Sequence, residues 1–471
     1  MMRFKVQIGA LALALGASLV AGCASMAPEY QRPAAPVPAE FPQVDAKAAT
    51  GAPLAEEIPW RDYFADPRLR EVIAQALANN RDLRVATLNI EKARAQYRIQ
   101  RAELFPSVGA TGSQAVQRLP GDLTPSGEAA TNRQYNASIG FTAWELDFFG
   151  RIRSLSDAAM QQYLATEEAQ RSVQISLIAE VAQAWLTYAA DRERLALANR
   201  TYATRVTSHE LIQRSFAVGV VSELDVRQSE SLVQSARADK ARYQTILALD
   251  ENALTLLLGS SLRAEWMPDS LTTSVSTLGA LPVGVPSEVL VRRPDILQAE
   301  YALRAANANI GAARAAFFPS ITLTAGAGTA SAALDGLFAS GSGAWSFMPQ
   351  IRVPIFEAGR LQASLDVAEV QRDIGVAQYE KSIQTAFREV ADVLAEKATL
   401  DERLDARRKL VAANVDSVRL SEVRYNSGMD SFFVLLDAQR TLFSSELLLI
   451  EVRLLEAVNR VALYKVLGGG G

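Results

Sequence analysis

One histidine and one cysteine among 471 residues leave little material for catalysis. Histidine metal sites, cysteine zinc sites and most Ser-His or Cys-His nucleophile pairs are excluded before any motif is sought. Carboxylates alone form no supporting constellation, so no enzyme, cofactor or metal site is expected. A net charge of −4 gives no sign of a nucleic-acid partner. The single sulfur nucleophile, Cys23, stands at the end of an export signal. Arg3 and Lys5 make the basic start, Ile8–Val20 is an apolar stretch too short to anchor permanently, and Val20-Ala21-Gly22 supplies small residues.

The run into Cys23 resembles a bacterial lipoprotein lipobox. That implies loss of residues 1–22 as a signal peptide and acylation of the Cys23 sulfur and its new amino group. Ala24, in place of an aspartate, implies sorting to the outer membrane. Acyl chains contribute about 0.8 kcal/mol per buried methylene, so three would hold the N-terminus firmly to a leaflet. Beyond the signal no window of about 20 continuous apolar residues occurs, so no transmembrane helix is expected in the mature chain.

Behind that anchor the chain is written twice. Residues 69–260 and 287–469 are two versions of one segment, about 210 positions apart. Arg101-Ala-Glu-Leu-Phe-Pro-Ser107 recurs as Arg314-Ala-Ala-Phe-Phe-Pro-Ser320, and Phe216-Ala-Val-Gly-Val-Val-Ser222 as Tyr425-Asn-Ser-Gly-Met-Asp-Ser431. Trp144-Glu-Leu-Asp-Phe-Phe-Gly-Arg151 recurs as Val353-Pro-Ile-Phe-Glu-Ala-Gly-Arg360. Residues 23–68 precede the first copy as an Ala/Pro-rich tether and the start of an equatorial region, and 261–286 link the copies.

Proline and glycine punctuation gives the elements. Proline is absent between Pro125 and Pro268 and again after Pro354, and Arg151–Val218 and Val220–Leu258 hold no glycine. Gly375 is the one internal exception in the second copy. Such windows predict long helices over 151–216, 222–258, 359–425 and 431–467, the first about 100 Å long. In the last, Leu435, Leu442 and Leu449 are spaced by seven, as are Leu447, Leu454 and Val461. The two series lie about 140° apart, so the helix can pack neighbours on both flanks like a stave.

Each copy opens with a shorter helix, then a Phe-Pro-Ser stop and two alternating segments. Ile321, Leu323, Ala325 and Ala327 share one face, as do Trp345, Phe347, Ile351, Val353 and Ile355, opposite Ser346, Gln350 and Arg352. Tyr135, Ala137, Ile139 and Phe141 alternate with Asn136, Ser138 and Thr142, while the segment around Val108–Val116 alternates weakly. Period-two alternation over about ten residues predicts tilted membrane strands at about 107–118, 133–147, 319–329 and 343–356, with Tyr135, Phe141, Trp345 and Phe347 facing lipid. Four strands cannot close a barrel, and open edges in lipid leave backbone groups without partners. The chain must therefore associate if these strands span a membrane; the pattern alone sets no copy number, although twelve strands leave a lumen that eight do not.

Together, Trp60-Arg-Asp-Tyr-Phe-Ala-Asp-Pro-Arg-Leu69, Gly284-Val-Pro-Ser-Glu-Val-Leu-Val-Arg-Arg-Pro-Asp295, the two Phe-Pro-Ser turns, Pro354-Ile-Phe-Glu-Ala-Gly-Arg360 and Leu435-Leu-Asp-Ala-Gln439 carry a resemblance. The chain resembles the TolC-type outer-membrane efflux factors, in their lipidated OprM-like branch, over nearly its whole mature length. That resemblance implies an α/β membrane protein: a homotrimeric, twelve-stranded transmembrane β-barrel continued by a twelve-helix periplasmic α-barrel, with a small mixed equatorial domain. It implies a passive exit duct for drugs or other small toxic compounds, with outer-membrane lipid, a periplasmic adaptor and an inner-membrane RND transporter as partners. Protein secretion or metal efflux through the same duct, and a non-conducting coiled-coil scaffold, are the competing readings.

The resemblance also places the working residues. The two glycine-centred turns become periplasmic tips that meet the adaptor, through Val218, Gly219, Val220, Val221 and Ser222 and through Gly428, Met429, Asp430 and Ser431. Phe432, Phe433 and Asp437 become a periplasmic gate, with an apolar constriction at Phe433 and a carboxylate ring at Asp437. The namesake of the family locks the tip partly with an arginine at the position that is Asp430 here, whereas the lipidated branch more commonly uses an apolar gate. A Tyr425–Asp225 hydrogen bond is left as the candidate tip lock.

Overall fold

The computed structural model describes residues 25–42, 55–271 and 287–470, with no side-chain description for 287–289. The expected signal peptide and acylation site at Cys23, part of the expected tether and most of the expected linker lie outside these residues. Seven helices of useful length occur among them: α1 (Pro67–Asn79), α2 (Arg81–Ala102), α3 (Arg151–Ala217), α4 (Glu223–Leu258), α5 (Pro294–Ala315), α6 (Arg360–Asn426) and α7 (Phe432–Val466). Four strands, β1 (Val108–Leu119), β2 (Ala130–Leu146), β3 (Ser320–Ser331) and β4 (Gly343–Arg352), follow the short helices. No described helix is long and apolar enough to cross a membrane.

The helix ends follow local chemistry. Asp66 caps α1 by accepting from Arg68 N at 2.8 Å, with Pro67 in the first position, where its missing N–H leaves nothing unsatisfied. Asn80 Oδ1 accepts from Leu83 N at 2.9 Å at the start of α2. Gly259 ends α4 at φ 63°, and a Cβ there would sit 2.4 Å from the carbonyl oxygen of Asn79, so both conformation and space require glycine.

Contacts divide the chain into two units that cut across the sequence repeat. The first unit comprises residues up to 34, then 89–166 and 298–379, and holds the sheet. The strands run antiparallel in the order β1-β2-β3-β4, so β1 and β4 are the outer strands, each with one partner among the described residues. β1, weak as a pattern, pairs with β2 along its whole length, because a backbone ladder needs register and not alternation. Register aligns Val108, Phe141, Ala325 and Phe347 in one row and Ala110, Ile139, Ala327 and Trp345 in another. Directly paired residues share a sheet face. One face is therefore apolar, while the opposite face carries the row Gly109, Gly140, Gly326 and Ser346. A bulge between Phe141 and Trp144, with Ala143 at φ 52°, re-aims Trp144 edge-on to Phe141 at 6.0 Å.

Small residues set the helix contacts of this unit. Ala158, Ala305 and Ala308 form one buried cluster. Gly375, the exception noted in the sequence, packs on Leu303, whose Cδ1 would lie 3.1 Å from an added Cβ. The start of the tether has no regular secondary structure but is docked on α5. Asn307 Nδ2 donates to Pro28 O at 2.7 Å, and a Cβ at Gly311 would meet Ala27 N at 2.6 Å. Glu300, 2% exposed, accepts from Tyr30 Oη, from Arg32 at 3.1 and 2.7 Å and from Arg304 at 2.7 Å.

The second unit comprises residues 35–88, 167–297 and 380–471. Its core holds the buried Trp185, whose Nε1 donates to Trp266 O at 2.9 Å, and the Tyr63 and Tyr464 rings stacked at 4.1 Å. Between α3 and α4 the buried Asp191 neighbours Asp250, whose Oδ2 is buried without a donor. Burial, and then the Asp191 carboxylate, push the Asp250 carboxyl up from 3.8 to about 7. A raised carboxyl stabilises the fold below its ordinary value and loses that contribution as pH rises through about 7. Asp250→Asn is therefore expected to flatten the fall in melting temperature between pH 4 and 7, measured by calorimetry on the detergent-solubilised protein.

Candidate aperture at the helix turns

The two glycine-centred turns have one geometry. After α3, Gly219 sits at φ 80°; its N–H donates to Phe216 O, and Val220 N–H to Ser215 O, both at 2.9 Å. After α6, Gly428 sits at φ 73°; its N–H donates to Tyr425 O, and Met429 N–H to Arg424 O, again both at 2.9 Å. This is the paired closure of a Schellman motif, which satisfies the last helix carbonyls and requires a left-handed residue at the glycine. No atom lies within 4 Å of a Cβ at either glycine, so backbone conformation alone demands it. Val218, Val220 and Met429 are exposed at the turns, whereas Val221 packs inward on the cluster of Ile212, Phe432, Leu435 and Leu436.

The turns differ in how the next helix begins. Ser222 and Asp225 form a capping box: Asp225 N donates to Ser222 Oγ at 3.3 Å, and Ser222 N to Asp225 Oδ2 at 2.9 Å. Ser431 occupies the same place before α7 without a side-chain cap hydrogen bond, and Val434, the third residue on, cannot return one to complete a capping box. There Asp430 is gripped by Arg424, with Nε and Nη2 at 2.6 and 2.8 Å, and that guanidinium holds the Asp430 carboxyl below its ordinary value.

The expected Tyr425–Asp225 hydrogen bond is not formed within the chain. Asp225 Oδ2 is taken by the Ser222 backbone N–H and by its hydroxyl at 2.6 Å, because a carboxylate three residues into a helix is within reach of its own cap. Tyr425 instead packs on Phe432, ring centroids 5.4 Å apart, and burial followed by the Asp225 charge pushes its phenol up.

The three gate candidates also separate. Phe432 is buried in the interhelix cluster, so its side chain packs and does not line a passage. Phe433 and Asp437, four residues apart and so on one helix face, remain exposed. They border a hollow of about 210 Å³ with Gln228, Ser231, Leu232, Leu436 and Arg440. Arg440 Nη2 donates to Asp437 Oδ1 at 2.5 Å, so a guanidinium offsets the charge of the carboxylate. Sequence reasoning left Arg440 and Arg424 without roles; their spacing from Asp437 (three) and Asp430 (six) is the signal available.

The family model described as "Outer membrane efflux protein" matches residues 72–260 and 285–469. The chain belongs to the outer membrane efflux protein family. The toluene efflux pump outer membrane protein TtgC of Pseudomonas putida is 51% identical over 462 residues, covering 98% of this chain and 95% of that protein. A crystal structure of a Pseudomonas aeruginosa membrane protein matches at TM-score 0.86 and 43% identity, covering 95% of this chain and 98% of its own. The open-state crystal structure of the MtrE outer membrane channel of Neisseria gonorrhoeae matches at TM-score 0.85 and 38% identity, with coverages of 95% and 98%. The fold of this family member is accordingly that of the outer-membrane channels, mostly helical with a small sheet. The two matched segments coincide closely with the two copies read in the sequence.

Proposed function

We propose that this efflux-family protein is the exit duct of a tripartite pump, formed when three copies close their sheets into one twelve-stranded barrel in the outer membrane. The observation that carries this is the sheet itself: an apolar face with Trp345, Phe347, Ile139 and Phe141, and outer strands β1 and β4 that each keep one edge unpaired among the described residues. Lipid offers those edges no hydrogen-bond partner, and pairing β4 with β1 of the next copy removes both. Three copies leave a lumen where two would fill it with side chains. The glycine and serine row on the opposite face suits a wall that leaves room for water. Acylation at Cys23 adds a second hold on the same membrane.

On this reading the long helices carry the duct into the periplasm, and the exposed turn residues Val218, Val220 and Met429 meet the hairpins of a periplasmic adaptor that links the duct to an inner-membrane RND transporter. Phe433 and Asp437 line the periplasmic aperture. Cargo is small and toxic, of the apolar class in the name of the putida relative, and the inner partner selects it.

Purified protein added to planar bilayers is expected to give stepwise passive conductance. The gene should restore drug or solvent tolerance to a deletion strain that retains its pump and adaptor. A monomer that never conducts would refute the proposal.

A further inference from the structure

We infer that Arg205 and Gln439 form a reversible latch between α3 and α7 that sets how readily the aperture at Phe433 and Asp437 opens. The inference rests on the duct reading above and assigns two positioning residues to its gate.

Near the turns, nearly all polar contacts are local. Arg227 pairs with Glu223 and Glu230, Arg419 with Asp416, Arg424 with Asp430 and Arg440 with Asp437, each within its own helix or turn. Such pairs stiffen a helix end without tying it to a neighbour. Among the described residues 200–232 and 405–445, two side-chain hydrogen bonds run from one helix to another. His209 Nδ1 meets Ser229 Oγ at 2.7 Å, joining α3 to α4, and Arg205 Nη1 donates to Gln439 Oε1, joining α3 to α7. The second joins the two sequence repeats and engages the helix that carries Phe433 and Asp437.

Its placement suits a latch. Gln439 is two residues beyond Asp437, about 200° round the helix, so Asp437 and Gln439 project from nearly opposite sides of α7. Ile212 lies seven residues along α3 from Arg205, and Leu435 four residues before Gln439. The hydrogen bond and the Ile212, Phe432, Leu435 and Leu436 cluster therefore join the same two helices on one side. Parting α3 from α7 must break both.

The chemistry of the pair makes it releasable. Arg205 is 6% exposed, and no carboxylate pairs with it among the described residues. Burial lowers its pKa accordingly. A buried guanidinium is ordinarily matched by a carboxylate, and separating such a pair strands two charges. A neutral amide accepts one hydrogen bond and adds no second charge to be stranded. When the helices part, water can take over the guanidinium donors. Gln439 closes Leu435-Leu-Asp-Ala-Gln439, a sequence run in which it had received no role of its own.

The test uses the full-length protein in planar bilayers and in the deletion strain, with trimer retention checked on unheated gels. Gln439→Glu makes the latch an ion pair, and single-channel open time and drug tolerance are expected to fall about tenfold. Gln439→Asn keeps a neutral amide but loses reach, and open time is expected to rise about tenfold. Opposite signs from two variants of equal assembly are a result that simple destabilisation would not give. If both variants conduct and export as the parent does, the latch is wrong and the duct stands. If the parent itself neither conducts nor exports, the duct falls and the latch with it. Should Gln439→Glu fail to assemble, Gln439→Asn alone decides: an unchanged open time overturns the latch.

Discussion

Glu300→Ala is expected to destabilise the sheet-bearing unit by about 3 kcal/mol, near the lower end of the range for breaking a buried ion pair. The side chain is 3% exposed, and its removal leaves Arg32, Arg304 and Tyr30 facing an empty site. The lower end applies because Arg32 and Arg304 are 47% and 37% exposed and can regain water. Arg304 Nε is already buried without a partner, so its rehydration is incomplete. The docked start of the tether should come free, read as faster protease cleavage between residues 25 and 42 and a lower melting temperature. The same site predicts an acid limit. Burial pushes the Glu300 carboxyl up, but the hydrogen bonds and charges of Arg32 and Arg304 outweigh it and leave the net value below 4.5. A depressed carboxyl stabilises above its ordinary value and loses that contribution as pH falls through the folded value. Protease release of the tether in the parent should therefore begin on acidification, and the Glu300→Ala variant should show no such step.

Gly328→Ala is expected to abolish assembly, while Gly326→Ala, two residues away in the same strand, should be tolerated. At Gly328 the backbone directs a Cβ into β2, 2.1 Å from Ala137 O and 2.5 Å from Ser138 Cα. No rotamer relieves a backbone clash, so β2 and β3 must separate. Overpacking and lost ladder hydrogen bonds in lipid together should exceed about 3 kcal/mol per chain. At Gly326 the nearest atoms, Ile139 O and Ser346 Oγ, are 3.6 and 3.8 Å from the added carbon, an ordinary contact. The yield of the proposed trimer in outer-membrane fractions distinguishes the two. Equal yields would show that β2 and β3 do not pair this way in the membrane.

Much of the secondary structure was legible because its causes are local. Breaker-free windows with strong helix formers correspond to α3, α4, α6 and α7, and the turns between them are marked by Gly219 and Gly428, which the chain can follow only with positive φ. The apolar rows of β2, β3 and β4 were readable from alternation because a pleated strand exposes every second residue to one side. β1 was faint, since Gly112, Gln114 and Arg118 fall on the same side as Val108 and Val116, and its register comes from β2. The tether read as irregular chain from its prolines; the docking of its start depends on Glu300, nearly 270 residues away.

The candidate gate was the least legible part. Phe432 and Phe433 are adjacent and identical in type, yet one is buried and the other 60% exposed, because successive helix positions differ by about 100° and only packing decides which faces the neighbour. Asp225 looked free to reach Tyr425, but its own N-cap claims it first, a choice made by distance. By itself, then, the sequence determined the rods, the ribbons and the family, since each is written in composition and spacing along the chain. Tertiary structure alone decided which glycines are obligatory, which phenylalanine is presented, and that Arg205 meets Gln439 across 234 positions, because those outcomes depend on distances between segments that no local pattern encodes.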